Sequence, residues 1–135
     1  MKEEIGLISG LLVMASIIPY AIRTYQKKIH PNLVSWSIWA VLGLALLLTY
    51  RSSGATTNVW PAVFGFTNPL LITILTFWRG EKKKPNELEI VCLVVGVLAI
   101  VLWWFVRDSK YLSQYALYVA IAADFCAVIP TIAFV

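Results

Sequence analysis

Two polar side chains lie deep inside apolar runs, and they are the residues most able to do chemistry. Asn68 falls in Gly65-Phe66-Thr67-Asn68-Pro69, near the middle of a stretch of about 20 apolar residues. Proline has no N–H to donate, so Pro69 frees the carbonyl of Gly65. One helical turn then offers an amide, the Thr67 hydroxyl and an unpaired carbonyl, which is the set a polar uncharged ligand would use. The competing reading is an interhelical hydrogen bond, worth about 0.6 kcal/mol on average in membranes. Asp124 is the second residue. A carboxylate within hydrocarbon costs at least about 2.5 kcal/mol on insertion scales, so it should face the bundle or a polar path. Proton coupling and a structural hydrogen bond are both open to it. Tyr115 and Tyr118 lie on the approach to it. Trp36 and Trp39 are three apart and share a helix face. Trp36 is expected at the membrane interface. Trp39, a turn deeper, either lines a cavity or packs.

Other chemistries find little support. His30 is the only histidine, with no second histidine and no nearby carboxylate, so neither a metal site nor a cofactor is expected. A loop histidine and one buried carboxylate make no catalytic dyad, which sets an enzyme aside. Cys92 and Cys126 both lie in apolar segments and read as small buried hydrophobes.

The elements that must hold these residues are membrane helices. Of the 135 residues, 60% are hydrophobic and 13% charged, against roughly 25% charged in a soluble domain. Lipid is therefore the expected solvent. Five stretches are long enough to cross about 30 Å of hydrocarbon: residues 5–22, 33–50, 59–78, 88–106 and 113–135. The fold class is an all-α membrane protein with five transmembrane helices. The first stretch follows Met1-Lys2-Glu3-Glu4 and precedes no cleavage site, so it reads as a retained helix, not a signal peptide. Gly6 and Gly10 form a small-xxx-small pair that lets a second backbone approach. Pro19 frees the carbonyl of Ala15 and should face protein or a water-lined cavity, as a static kink or a moving hinge. The fourth stretch, ending in Trp103-Trp104, reads as a linker helix facing lipid over much of its surface.

Charge lies between the spans. The net charge is +4, but no basic face exists outside the loops, so nucleic acid is not an expected partner. With the N-terminus outside, the inner loops carry seven of the 11 lysines and arginines: Arg23, Lys27, Lys28, Arg79, Lys82, Lys83 and Lys84. The excess predicts an outside N-terminus and a cytoplasmic C-terminal end in a cell inner or plasma membrane.

Ser16-Ile17-Ile18-Pro19-Tyr20 aligns with Ala127-Val128-Ile129-Pro130-Thr131 when the prolines are superposed. Both spans would run in the same direction, and Pro130 would free the carbonyl of Cys126. Residues 1–80 are then a three-helix bundle repeat, 81–110 an inversion linker helix with its loops, and 111–135 the first helix of a second repeat. Parallel repeats with a site at their interface are a known transporter plan. The apolar end at Phe134-Val135 leads to the expectation of a fragment lacking two helices.

Pro19, the following Arg23, the short basic loop, Ser35 opening span two and Asn68 within span three resemble, in order and spacing, the PQ-loop superfamily that includes the SWEET and SemiSWEET sugar transporters. The resemblance covers residues 5–78 and, more weakly, span five. The family's Pro-Gln stands here as Pro19-Tyr20 and Pro130-Thr131. The tryptophan that SemiSWEETs pair with the asparagine corresponds to about Leu47, so the stacking platform is missing or moved to Trp39. The resemblance implies alternating access around a midplane site. Asn68, Thr67 and Trp39 would contact a small polar solute, a sugar among the candidates, and Pro19, Tyr20, Pro69 and Pro130 would serve as hinge or gate. It also implies pairing of two copies in the bilayer. The alternative is a non-transporting scaffold or assembly module of the same fold.

Overall fold

The computed structural model describes residues 1–56, 58–79 and 84–133, with side chains in the last helix as far as Ile129. Lys82, Lys83, the side chain of Pro130, and Phe134-Val135 lie outside the described residues. Five helices follow one another: α1 Lys2–Tyr25, α2 Leu33–Ser52, α3 Trp60–Arg79, α4 Glu87–Val106 and α5 Lys110–Ala133. All five are long and apolar enough to cross a membrane, and no strand occurs among the described residues.

Local chemistry sets the helix starts. Asn32 caps α2, its side-chain oxygen accepting from the Val34 N–H at 3.0 Å. Asn86 and Glu89 form a reciprocal capping box at the start of α4, satisfying N–H groups that have no partner within the helix. Pro61 occupies the first turn of α3, where its missing N–H is not needed. After α2 the chain turns at Gly54, whose φ of 102° suits a residue without a Cβ.

The packing order is not the chain order. α3 lies between α1 and α2, and α2 also packs on α4 and α5, which pack on each other. Among the described residues the α1 backbone approaches α3 alone. Small residues make these crossings close, as association in lipid requires. A methyl on Gly10 would sit 2.6 Å from the Trp60 Cβ, and one on Gly43 would sit 2.5 Å from the Gly65 carbonyl oxygen. Ile38 and Leu42 of α2 pack against Cys92, Ala123 and Ala127, and Ala45 against Ala99 and Ala120. The alanines of α5 thus recur at helical spacing against α2 and α4.

Two expectations are corrected, and a third holds with one exception. Pro19 is exposed, facing away from protein. α1 docks through Gly6, Gly10 and Thr24, and nine residues at about 100° each put Pro19 about 180° from Gly10. Its neighbour Tyr20 lies on the docking side and is half-buried. Cys126 is exposed, while Cys92 is buried, and both are free thiols. α4 faces outward over much of its length, but its first turn buries the carboxylate of Glu89.

Candidate functional site

α3 and α5 both lean on α2, and among the described residues their backbones do not approach each other. The gap between them is a groove of about 510 Å³ with α2 as its floor. Trp39, Gly43, Leu46 and Tyr50 form that floor, a stripe that steps by four, three and four along one helix face. Pro61, Ala62 and Gly65 of α3 make one wall, and Leu117, Ile121 and Asp124 of α5 make the other. Asn58, in the α2–α3 loop, stands at the mouth. Asp124 is 14 residues into α5, about 21 Å along its axis. The groove therefore runs from the loop end of the bundle to a carboxylate and an indole well within the span.

The walls are almost wholly apolar. Asp124 carries the one formal charge on the lining. It is half-buried, and among the described residues no lysine, arginine or histidine faces it across the groove. The ion pair found among the described residues joins the N-terminal ammonium to Glu4, at an exposed end of α1.

The turn around Asn68 is dispersed. The Asn68 amide donates to the Val13 carbonyl of α1 at 2.8 Å, and Asn68 is buried. The Ser16 hydroxyl donates to the same carbonyl at 2.6 Å. The carbonyl freed by Pro69 does not accompany them. The Gly65 carbonyl oxygen instead lies against the bare Cα side of Gly43 on α2. Thr67 is half-buried and is not on the groove lining. Asn68, Thr67 and Trp39 are thus not one cluster. Trp39 and Asp124 both line the groove, and Asn68 joins α1.

Two polar features escape a reading from composition. The first is Glu89, 6% exposed. Its Oε1 accepts from the Ser35 hydroxyl at 2.9 Å and from the Asn32 side chain at 3.4 Å, while Oε2 accepts from the Asn86 N–H at 2.9 Å. Glu89 therefore ties the first turn of α4 to the first turn of α2. The Asn86-x-x-Glu89 spacing is the signal that could have found half of it. The second is a ring contact between Tyr20 and Trp36, with centroids 5.1 Å apart. It spans two helices whose backbones do not meet. His30 is exposed in the α1–α2 loop, and no group of three or more metal-ligating side chains occurs among the described residues.

Tryptophan and arginine mark the ends of the spans. Arg107, which caps α4, lies 3.9 Å from the ring centroid of Trp104, and Arg79 at the end of α3 lies 4.8 Å from that of Tyr25. Such pairs suit the headgroup level, where an apolar ring meets a wet charge. Five apolar helices with this trim have the architecture of an integral multi-pass membrane protein. No family model, curated protein or solved structure matches the chain.

Proposed function

We propose that the protein is an integral membrane carrier of a small solute, of the PQ-loop or SWEET type, working by alternating access. The solute is held in the groove between α2, α3 and α5. One observation carries this reading: an apolar groove of ligand size ends well along the candidate spans at Asp124 and Trp39. Pockets for small molecules are commonly apolar, about 300–1,000 Å³ in volume, with a few placed polar groups. Two features make movement easy in this reading. Among the described residues the α1 backbone packs on α3 alone, and the Tyr20–Trp36 ring contact closes one end of the α1–α2 gap. Tyr20 and Trp36 are then the gate and Pro69 a bend beside the groove, with Asp124 on the polar path. The charge bias supports a cytoplasmic side for the loop at Arg23, Lys27 and Lys28. Two copies pair across the open side of the groove.

The second reading, a non-transporting membrane scaffold, is favoured by the hydrogen bond that ties the Asn68 amide to α1. Liposome reconstitution separates the two. Uptake of labelled sugars, amino acids, amines and vitamins is measured for the parent, Asp124→Asn and Asn68→Ala. The carrier reading expects uptake of at least one solute, with a loss of tenfold or more in Asp124→Asn. No uptake of any solute, together with no solute-dependent shift in Tm, leaves the scaffold.

A further inference from the structure

The groove's chemistry narrows the solute, an inference resting on the carrier reading of that groove. At its deep end the lining offers one carboxylate, Asp124, and one indole, Trp39. The neighbouring surface, Leu46, Leu117 and Ile121, is aliphatic. The other polar side chains on the lining, Tyr50 and Asn58, belong to the mouth. Tyr50 is 11 residues from Trp39, about 16 Å along α2. A sugar needs donors and acceptors around its whole ring, since an unpaired buried hydroxyl is costly. A bare metal cation needs several oxygen ligands, and the Gly65 carbonyl that could add one is turned against Gly43. The Asp124 carboxylate makes no hydrogen bond or ion pair among the described residues. A hydrocarbon chain would fill the walls but leave that charge unmatched.

We infer that the groove between α2, α3 and α5 binds a small organic cation, an ammonium on an apolar body. The ammonium pairs with Asp124 and lies against Trp39. Both groups favour positive charge. A carboxylate does so directly, and an indole face does so through its quadrupole, most strongly where water is excluded. The aliphatic walls take the rest of the molecule.

Benzyltrimethylammonium is the probe, and neopentylbenzene, the same shape without the charge, is its control. Binding to the purified full chain is measured by titration calorimetry in detergent, and uptake in liposomes by a labelled probe. The expected result is saturable binding that neither glucose nor neopentylbenzene displaces. Asp124→Asn weakens it tenfold or more, and Asp124→Glu retains it. Trp39→Leu weakens it roughly threefold to thirtyfold, and Asn68→Ala leaves it unchanged. Equal competition by neopentylbenzene, or undiminished binding in Asp124→Asn, overturns the inference and makes the groove a hydrocarbon site, lipid chains included. Uptake of some other solute without binding of the ammonium overturns the inference and leaves the carrier standing. Neither binding nor uptake of any solute overturns both. If Asp124→Asn does not fold, Asp124→Glu, Trp39→Leu and the neutral competitor still decide the question.

Discussion

Asn68 and Asp124 are both polar residues set in apolar helices, and they have opposite surroundings. Asn68 looks from α3 into α1 and gives its amide to a backbone carbonyl. Asp124 looks from α5 into an open groove and meets no partner among the described residues. The first is a fastening between two helices. The second leaves its bonding capacity open on the groove. A polar residue in a membrane span is a functional candidate by default, and what separates these two is the neighbouring surface: a packed helix for one, empty space for the other.

The contrast can be broken at its frame. Gly43 stands between the two regions, where a side chain would strike the backbone of α3 at Gly65 and Phe66. Backbone cannot swing aside, so Gly43→Leu should cost about 3 kcal/mol or more. It should appear as loss of the monodisperse species in size-exclusion chromatography. Asp124→Asn is next in effect and acts on function alone. On the proposed carrier reading, uptake should fall at least tenfold, while thermal stability holds or rises, because the charge that opposes burial is gone. A matching drop in Tm would place Asp124 with Asn68 as a structural residue.

Acid should imitate that substitution. Protonation removes the Asp124 charge, so binding of a permanent cation weakens as pH falls and recovers as it rises. Tyr50 on the groove and Cys92, on the α4 face packed near Ala123, are titratable groups on the helices packed against α5, which itself carries Cys126 two residues after Asp124. Tyr50→Phe and Cys92→Ala should leave the pH profile in place, and Asp124→Asn should flatten it. Glu89→Ala removes the capping box and the Ser35 bond together, an expected loss of about 1–2 kcal/mol, with affinity unchanged. Asn68→Ala has the smallest effect. The Val13 carbonyl keeps the Ser16 hydroxyl, so the stability change should be about 0.6 kcal/mol, read as a small fall in Tm. A large loss of affinity there would move Asn68 back into a binding role.

Much of this fold was legible in the residues. The five spans fall within a few positions of their expected bounds, because hydrocarbon thickness and loop charge mark helices independently of their neighbours. Directions around each helix were less legible. Whether Asn68 faces a ligand or α1 depends on where α3 crosses α1, and that is set by Gly10 meeting Trp60 across 50 residues. That Trp39 and Asp124 line one groove likewise depends on how α3 and α5 sit on α2. Glu89 was hidden because a carboxylate at the edge of a polar run reads as solvated. Its burial follows from Ser35 and Asn32 closing over it.

The placement of α3 between α1 and α2 also bears on how the chain is made. Synthesis delivers α1 and α2 in succession, yet their backbones do not pack on each other. Neither can form its main mutual contact until α3 emerges. α3 is also the least hydropathic of the five spans and carries the Asn68 amide. It arrives last of the three, into a slot whose two sides are already in the bilayer. The Val13 carbonyl and the bare face of Gly43 wait there for Asn68 and Gly65. Insertion of the most polar helix is thereby deferred until the partners for its polar groups exist.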